Sequence, residues 1–189
     1  MRKGPASPLA GRALLPLTAA ATLVLGLGTP AASADSGPGG HPAIARRAET
    51  LTITVPNSAY LGTGGAGTTI SGSLGTVTVT DSRPGVPPWT ATASAGNFTT
   101  GTGTAAQTIT RDRLSYWSGP TTASSGGGSR TPGQTSAAQA VSLATTVTAF
   151  RGRKGTIPTT TSWQPTIVVA VPAAAIAGGY TGVITHSVA

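Results

Sequence analysis

Carboxylate side chains, which could act as acid and base in a hydrolase, are scarce in this sequence. The four are Asp35, Glu49, Asp81 and Asp112. A glycosidase needs two carboxylates that flank one glycosidic bond, and only Asp81 and Asp112 lie beyond the first 50 residues. Each of these two has an arginine within two positions, so ion pairing is the simpler interpretation. The carboxylates therefore give little support for a hydrolase.

The two histidines, His41 and His186, do not form a catalytic or metal-binding pattern. A serine nucleophile needs a histidine that is oriented by a carboxylate, and no serine lies in a Gly-x-Ser-x-Gly elbow. The chain has no cysteine that could join the histidines as a metal ligand. We interpret His186 as a partly buried structural residue, since it shares a strand face with Ile184 and Val188. The sequence thus predicts no cofactor, no metal site and no enzyme.

The paired aromatic residues Tyr116 and Trp117 are the candidate ligand-binding residues. They precede a Gly/Ser-rich segment at 118–136. If both rings are exposed, they could stack on sugar rings, and if they are buried, they would close one end of a hydrophobic core. Trp89 begins a run in which alanines take every second position, and a large residue beside small ones is typical of core packing.

The N-terminus has the pattern of an export signal over residues 1–34. Three basic residues in the first twelve positions precede the apolar run 13–28, and Ala-Ser-Ala follows at 32–34. This order predicts cleavage after Ala34. The apolar run is shorter than the ~20 residues of a spanning helix. We therefore predict a secreted protein that begins at Asp35 and has no membrane span after signal cleavage.

The charge of the chain bears on its partners. Removal of Arg2, Lys3 and Arg12 with the signal lowers the formal charge from +8 to +5. A moderate positive charge on an exported protein attracts anionic wall polymers, although it also serves solubility alone. Abundant arginine together with alanine, glycine and proline is typical of GC-rich genomes, so we do not predict nucleic-acid binding. Without cysteine, an exported fold depends on packing instead of disulfides.

Alternating apolar and polar residues predict β-strands throughout the mature chain. Residues 35–49 are rich in Gly and Pro and are predicted to form a flexible tail. From residue 50 to 189 the apolar positions recur with period two, and Gly/Pro clusters separate the runs. We predict one all-β domain of immunoglobulin-like sandwich architecture. Residues 118–136 are low in complexity and are predicted to form a disordered loop. The alternating apolar positions include Ile53, Val77, Val79, Trp89, Ala91, Ile167, Val169, Tyr180 and Ile184.

The C-terminal stretch resembles the WxL domain of bacterial surface proteins. An apolar strand ends at Val171-Pro172, Gly178-Gly179-Tyr180 follows, and a last strand runs to the C-terminus. Trp89-Thr90-Ala91 resembles the first Trp-x-Leu motif, with Ala91 in place of Leu. The second motif resembles His186-Ser187-Val188 after Tyr180, with His186 in place of Trp. The resemblance covers most of residues 50–189 and implies a WxL-like β-sandwich that associates non-covalently with peptidoglycan.

We therefore expect a non-catalytic, envelope-associated structural or binding protein at the cell wall or cell surface. Its expected partners are peptidoglycan or anionic wall polymers and other surface proteins. Two alternatives remain open from the residues. One is a carbohydrate-binding, adhesin-like module that uses Tyr116 and Trp117. The other is a subunit that assembles by strand addition through its C-terminal strand.

Overall fold

The computed structural model describes the backbone of residues 15–23 and all of residues 49–189. Most of the predicted signal 1–34 and residues 35–48 of the predicted tail 35–49 lie outside these residues. Within the described parts, no helix is long and apolar enough to cross a membrane. Regular structure there consists of strands and three short 3-10 turns: β1 Leu15–Leu23, β2 Leu51–Thr54, β3 Ser58–Gly64, β4 Thr69–Ser73, β5 Val77–Asp81, β6 Pro88–Ala95, β7 Phe98–Thr99, β8 Thr108–Ile109, β9 Leu114–Trp117, β10 Thr121–Ser125, β11 Gly128–Pro132, β12 Val141–Ser142, β13 Val147–Lys154, β14 Thr159–Trp163, β15 Thr166–Ala170 and β16 Tyr180–Val188.

The strands form two packed layers, so the all-β sandwich predicted from the sequence is confirmed. The front layer is one sheet with the strand order β11-β13-β6-β16-β1-β3, to which β7 and β8 are attached beside β16. The back layer consists of two four-stranded sheets, β10-β14-β5-β2 and β12-β9-β15-β4. Three pairs of consecutive strands, β4/β5, β9/β10 and β14/β15, pass from one of these sheets to the other. The back layer is therefore one long sheet that is interrupted near its middle.

The interruption in the back layer follows from the sequence at residues 164–166. Pro165 lacks the N–H that a continuous ladder would need. Its carbonyl instead accepts the Leu74 N–H at 2.9 Å, between β4 and β5. The Pro165 carbonyl at the break therefore still has a hydrogen-bond donor.

Alternation along the strands creates the core between the layers. On β6, Trp89, Ala91 and Ala93 are buried, whereas the threonines between them are half-buried on the outer face. The Trp89 ring stacks on Phe150 at a centroid distance of 6.4 Å, and Phe150 stacks on Trp163 of the back layer at 4.8 Å. This aromatic column joins the two layers. The prediction that Trp89 is a core residue is confirmed.

The prediction of a disordered loop at 118–136 is wrong. Residues Thr121–Ser125 form β10 on the edge of the back layer, and Gly128–Pro132 form β11 on the edge of the front layer. Arg130 crosses between the layers and donates to Thr161 Oγ1 at 3.1 Å and to the Gly126 carbonyl at 2.8 Å. Most of the segment is exposed, so ladder pairing at the edges stabilises it without apolar burial. The segment closes one side of the sandwich.

Candidate functional site

The position of β1 is the least expected feature of the front layer. Its residues, Leu15–Leu23, belong to the apolar run that the sequence assigns to a cleaved export signal. In the structure this segment is a strand that lies between β16 and β3. It runs parallel to β16 over seven registered pairs, from Leu17 opposite Tyr180 to Leu23 opposite His186. We call this position between β16 and β3 the β1 slot.

The second wall of the β1 slot is β3. It pairs with β1 in the antiparallel direction, from Leu15 opposite Gly64 to Ala20 opposite Ser58. A register shift after Leu17 marks a bulge near Gly62, whose φ of 110° suits glycine. Within the described residues β1 is the only strand that pairs with β3. Without β1 the sheet would therefore lose a strand from its interior and would have two unpaired edges, one on β16 and one on β3.

The backbone groups of β16 alternate between the β1 slot and β6. Thr90 N–H donates to the Ala189 carbonyl at 2.7 Å, and Ala189 N–H donates back at 3.1 Å. The Gly96 N–H donates to the Val183 carbonyl at 2.9 Å. These bonds show that the backbone N–H and carbonyl groups of odd-numbered β16 residues point towards β6. Because the direction alternates along a strand, the N–H and carbonyl groups of even-numbered residues from Gly182 to His186 point into the β1 slot.

Even-numbered residues of β16 also form the buried face of the slot wall. Tyr180, Ile184 and His186 are buried, as their alternation in the sequence predicts for the first two. At Gly182 an added Cβ would lie only 2.0 Å from Cδ1 of Phe98, so the Phe98 ring fills the space below the strand. The Tyr180 hydroxyl donates to the carbonyls of Ala106 and Ile176 at 3.1 and 3.0 Å. The start of β16 is therefore anchored to two neighbouring loops.

His186 is more deeply buried than the sequence indicates. Its side chain is 2% exposed, and Nε2 lies 3.2 Å from the Tyr116 hydroxyl across the two layers. Burial lowers the pKa of His186 to about 4, so the imidazole is neutral at neutral pH. Its Nδ1 has no hydrogen-bond partner among the described residues. The ring acts as a structural group of the core at this end of the β1 slot.

Tyr116 shares this buried setting. Burial raises the pKa of its phenol well above the ordinary value, and the neighbouring Trp163 indole opposes that shift only in part. The Trp163 Nε1 has no hydrogen-bond partner within residues 49–189, so its contact with Tyr116 is one of packing. Tyr116 is therefore protonated at physiological pH and serves the core.

The aromatic platform proposed for Tyr116 and Trp117 is not formed. Tyr116 is fully buried, and Trp117, the next residue along β9, points to the opposite face of its sheet and is half-buried. Successive strand residues cannot present coplanar rings to one sugar. The structure corrects the assignment of Tyr116 as an accessible ligand-binding residue, while Trp117 remains partly accessible by itself.

The motif positions that carry the family resemblance lie on two adjacent strands of the front layer. Trp89 and Ala91 are on β6, and Tyr180, His186 and Val188 are on β16. Ala91 is registered opposite Val188. All are buried except Val188, which is half-buried. The residues that the sequence suggests as motif positions are thus brought together as core packing beside the β1 slot.

Within residues 49–189, Asp81 and Asp112 belong to or adjoin different sheets of the back layer. Asp81 lies at the end of β5 and is fully buried; burial raises its pKa, but hydrogen bonds from Arg83 outweigh this and hold the pKa below its ordinary value. The Arg83 Nη2 lies 2.9 Å from Asp81 Oδ2. Asp112 is exposed, 3.8 Å from Arg113 Nε, and precedes β9 in the other back sheet. Among the described residues no three potential ligands form a metal site.

Comparisons with protein-family models, with curated proteins and with solved structures returned no match. The sequence predicted β16 as the last strand, but it did not predict β3 or a strand position between the two. One partial signal was present, because apolar residues take every second position from Leu15 to Leu23 with Thr18 and Thr22 between them, although Pro16 and Ala20 interrupt the alternation. That period-two pattern is typical of a half-buried strand.

Proposed function

We propose that this protein is an exported, non-catalytic subunit of the cell envelope that assembles by accepting a β-strand from a partner. The observation that carries the proposal is the β1 slot. The segment that fills it has the sequence of an export signal with a cleavage site after Ala34. If the signal is removed, β1 leaves with it, and the sandwich has a vacancy inside its front layer.

A vacancy of this kind is a binding site for an extended chain. Two unpaired edges can each form a hydrogen-bonded ladder with one added strand, which is the basis of recognition by strand addition. An unpaired edge also promotes unwanted association, so a chain that exposes two of them gains from a dedicated partner. The buried face below the slot would otherwise expose Ile184 and His186 to water. These arguments favour strand addition over the carbohydrate-binding alternative.

Amide exchange along β16 tests the proposal, because this strand contains its own control. We compare the chain 35–189 with the precursor 1–189 by residue-resolved NMR. In 35–189 the amides of Gly182, Ile184 and His186 should exchange fast, whereas odd-numbered amides facing β6 stay protected. In the precursor both sets should be protected.

Two results would overturn the proposal. One is equal protection of both amide sets in 35–189 as a monomer. The other is an envelope-extracted protein whose N-terminal sequence still includes residues 15–23, since the slot would then be permanently filled. Mass spectrometry of the native protein gives this second answer directly, with Asp35 as the expected first residue.

A second candidate function is association with anionic wall polymers through the outer face of β13. Arg151 and Arg153 are both exposed there. Within residues 49–189 neither guanidinium has a carboxylate within ion-pair distance; Arg153 donates to the Val86 carbonyl at 3.1 Å. Exposed charges of this kind interact with a polyanion only weakly in high salt, since the Debye length falls from ~10 Å at 0.1 M to ~3 Å at 1 M.

Sedimentation with purified sacculi tests the second candidate. Binding of 35–189 should decrease between 0.1 M and 1 M salt, and the double variant Arg151→Gln with Arg153→Gln should bind less than the parent at low salt. Arg111→Gln with Arg113→Gln removes the same charge elsewhere and is the matched control. Salt-resistant binding, or equal loss in both double variants, would contradict a specific role for this face.

A further inference from the structure

We infer that the strand accepted in the β1 slot comes from a different protein and has uncharged, small or medium apolar side chains at the alternate positions that face the core. The inference rests on the proposed function and adds the chemistry of the partner. It follows from the register of β1 and from the composition of residues 35–48.

The register separates the positions of an incoming strand into two faces. Positions 17, 21 and 23 are registered opposite Tyr180, Ile184 and His186, whose side chains are buried, and position 19 is registered opposite Gly182, whose core side is occupied by Phe98. Positions 18, 20 and 22 are registered opposite residues 181, 183 and 185, which are exposed or half-buried. A charge at the first set would be buried without a partner, whereas a charge at the second set would remain in water.

The slot also distinguishes side chains by size. Position 17 lies between Tyr180 and Gly62, and the missing side chain at 62 leaves room for a branched residue. Position 19 lies between Gly182 and Ala59, where the Phe98 ring already fills the space below the strand. A residue as small as alanine suits this second position. The chemistry of residues 15–23, with Leu17 and Ala19, matches both requirements.

The tail of a second copy fits the slot poorly. Arg46 and Arg47 are adjacent, so any strand that includes both places one guanidinium on the buried face. A nine-residue window that ends before them, 37–45, contains three glycines and two prolines, Pro38 and Pro42. Glycine weakens a strand, and each proline removes a ladder donor. The donor is therefore expected from another exported protein and not from the tail of this one.

Peptide binding to the chain 35–189 tests the inference, with the sequence of residues 15–23 as the probe and two C-terminal lysines for solubility. Two variants of the peptide form a matched pair: Ala19→Asp places a carboxylate on the buried face, and Thr18→Asp places it on the outer face. A fourth peptide carries residues 39–47. Fluorescence anisotropy gives the affinities, and exchange at Gly182, Ile184 and His186 reports whether the slot is occupied.

The parent peptide and Thr18→Asp should bind with affinities within about tenfold of each other, and Ala19→Asp should bind at least about a hundredfold more weakly. Bound peptide should slow exchange of the even-numbered amides only. If 35–189 folds only after peptide is added, the same affinity order in refolding yield supports the inference.

Binding of the 39–47 peptide as tight as that of the parent would overturn the inference in favour of a second copy, and the proposed function would survive. Equal loss for both Asp variants would overturn the assignment of the two faces. Absence of binding by every peptide, together with protected even-numbered amides in the monomer, would overturn the proposed function itself.

Discussion

The two flanks of β16 differ in how they are held. On one flank, β6 and β13 carry the aromatic column of Trp89 and Phe150, which continues to Trp163 in the back layer. On the other flank, β1 and β3 contribute mainly small residues, and the one aromatic residue of β3, Tyr60, is 59% exposed. The first flank has side chains that lock it to the opposite layer. The second depends on backbone ladders, which any strand of suitable chemistry can form.

Loss of β16 should have the largest effect, because both flanks share it. Deleting residues 180–189 removes the ladder to β6, the ladder to the slot, and the buried Tyr180 and Ile184. We expect the truncated chain not to fold. Circular dichroism and thermal melting are the measurements, and a cooperative melt at the parent temperature would show that β16 is dispensable.

Replacing Trp89 should strongly destabilise the flank formed by β6 and β13, without a direct effect on the flank formed by β1 and β3. Trp89 is 4% exposed, and its ring packs over Gly152 so closely that a Cβ added at Gly152 would overlap the ring. Replacing a buried aromatic residue by alanine costs about 3–5 kcal/mol, so Trp89→Ala should lower the free energy of unfolding by that amount. Chemical denaturation measures it. A loss below about 1 kcal/mol would mean that the column contributes little.

Acidification from about pH 6.5 to pH 4 should destabilise the fold, because the unfolded state takes up a proton on His186 that the folded state does not. The unfolded imidazole takes up a proton near pH 6.5, whereas the buried one resists until about pH 4. Stability is therefore complete above the unfolded pKa and decreases as pH falls, by up to about 3 kcal/mol. Denaturation curves across this range test it. His186→Gln removes the titrating group and is the control; an unchanged pH dependence in that variant would refute the assignment.

Replacing Leu61 should have the smallest effect on stability, and the size of that effect should depend on whether the β1 slot is filled. Leu61 is the one fully apolar, buried side chain of β3. With β1 or a bound peptide present, Leu61→Ala should cost about 2 kcal/mol or more, as in other cores. In 35–189 with an empty slot, β3 lacks its ladder partner, and the cost should fall to about 1 kcal/mol or less. Equal costs in both states would show that the two flanks are equally fixed.

The sequence predicted the strands that bury a row of apolar residues. Val77 and Val79 on β5 and Ile167 and Val169 on β15 are buried where alternation places them. It failed for β10 and β11, since those strands are stabilised by pairing at sheet edges and leave no apolar trace in the sequence. For β1 the pattern was present, but the same Leu/Ala run is equally typical of an export signal. Composition alone cannot separate these two interpretations.

Burial of the candidate site residues was only partly predictable. Trp89 was assigned correctly because alanines alternate with threonines after it. Tyr116 could not be placed, because a single aromatic pair does not reveal which strand face meets the opposite layer. The contact between Tyr116 and His186 joins residues 70 positions apart, and no local pattern encodes such a distant pair. The β1 slot depends on similar long-range pairing.

A strand in the β1 slot has a mechanical consequence. It is bonded to β16 on one side and to β3 on the other, with its axis parallel to both ladders. Tension along such a strand loads the hydrogen bonds of both ladders together in shear, whereas peeling would break them one after another. An envelope subunit joined to its neighbour in this way would resist pulling along the strand far better than lifting away from the sheet.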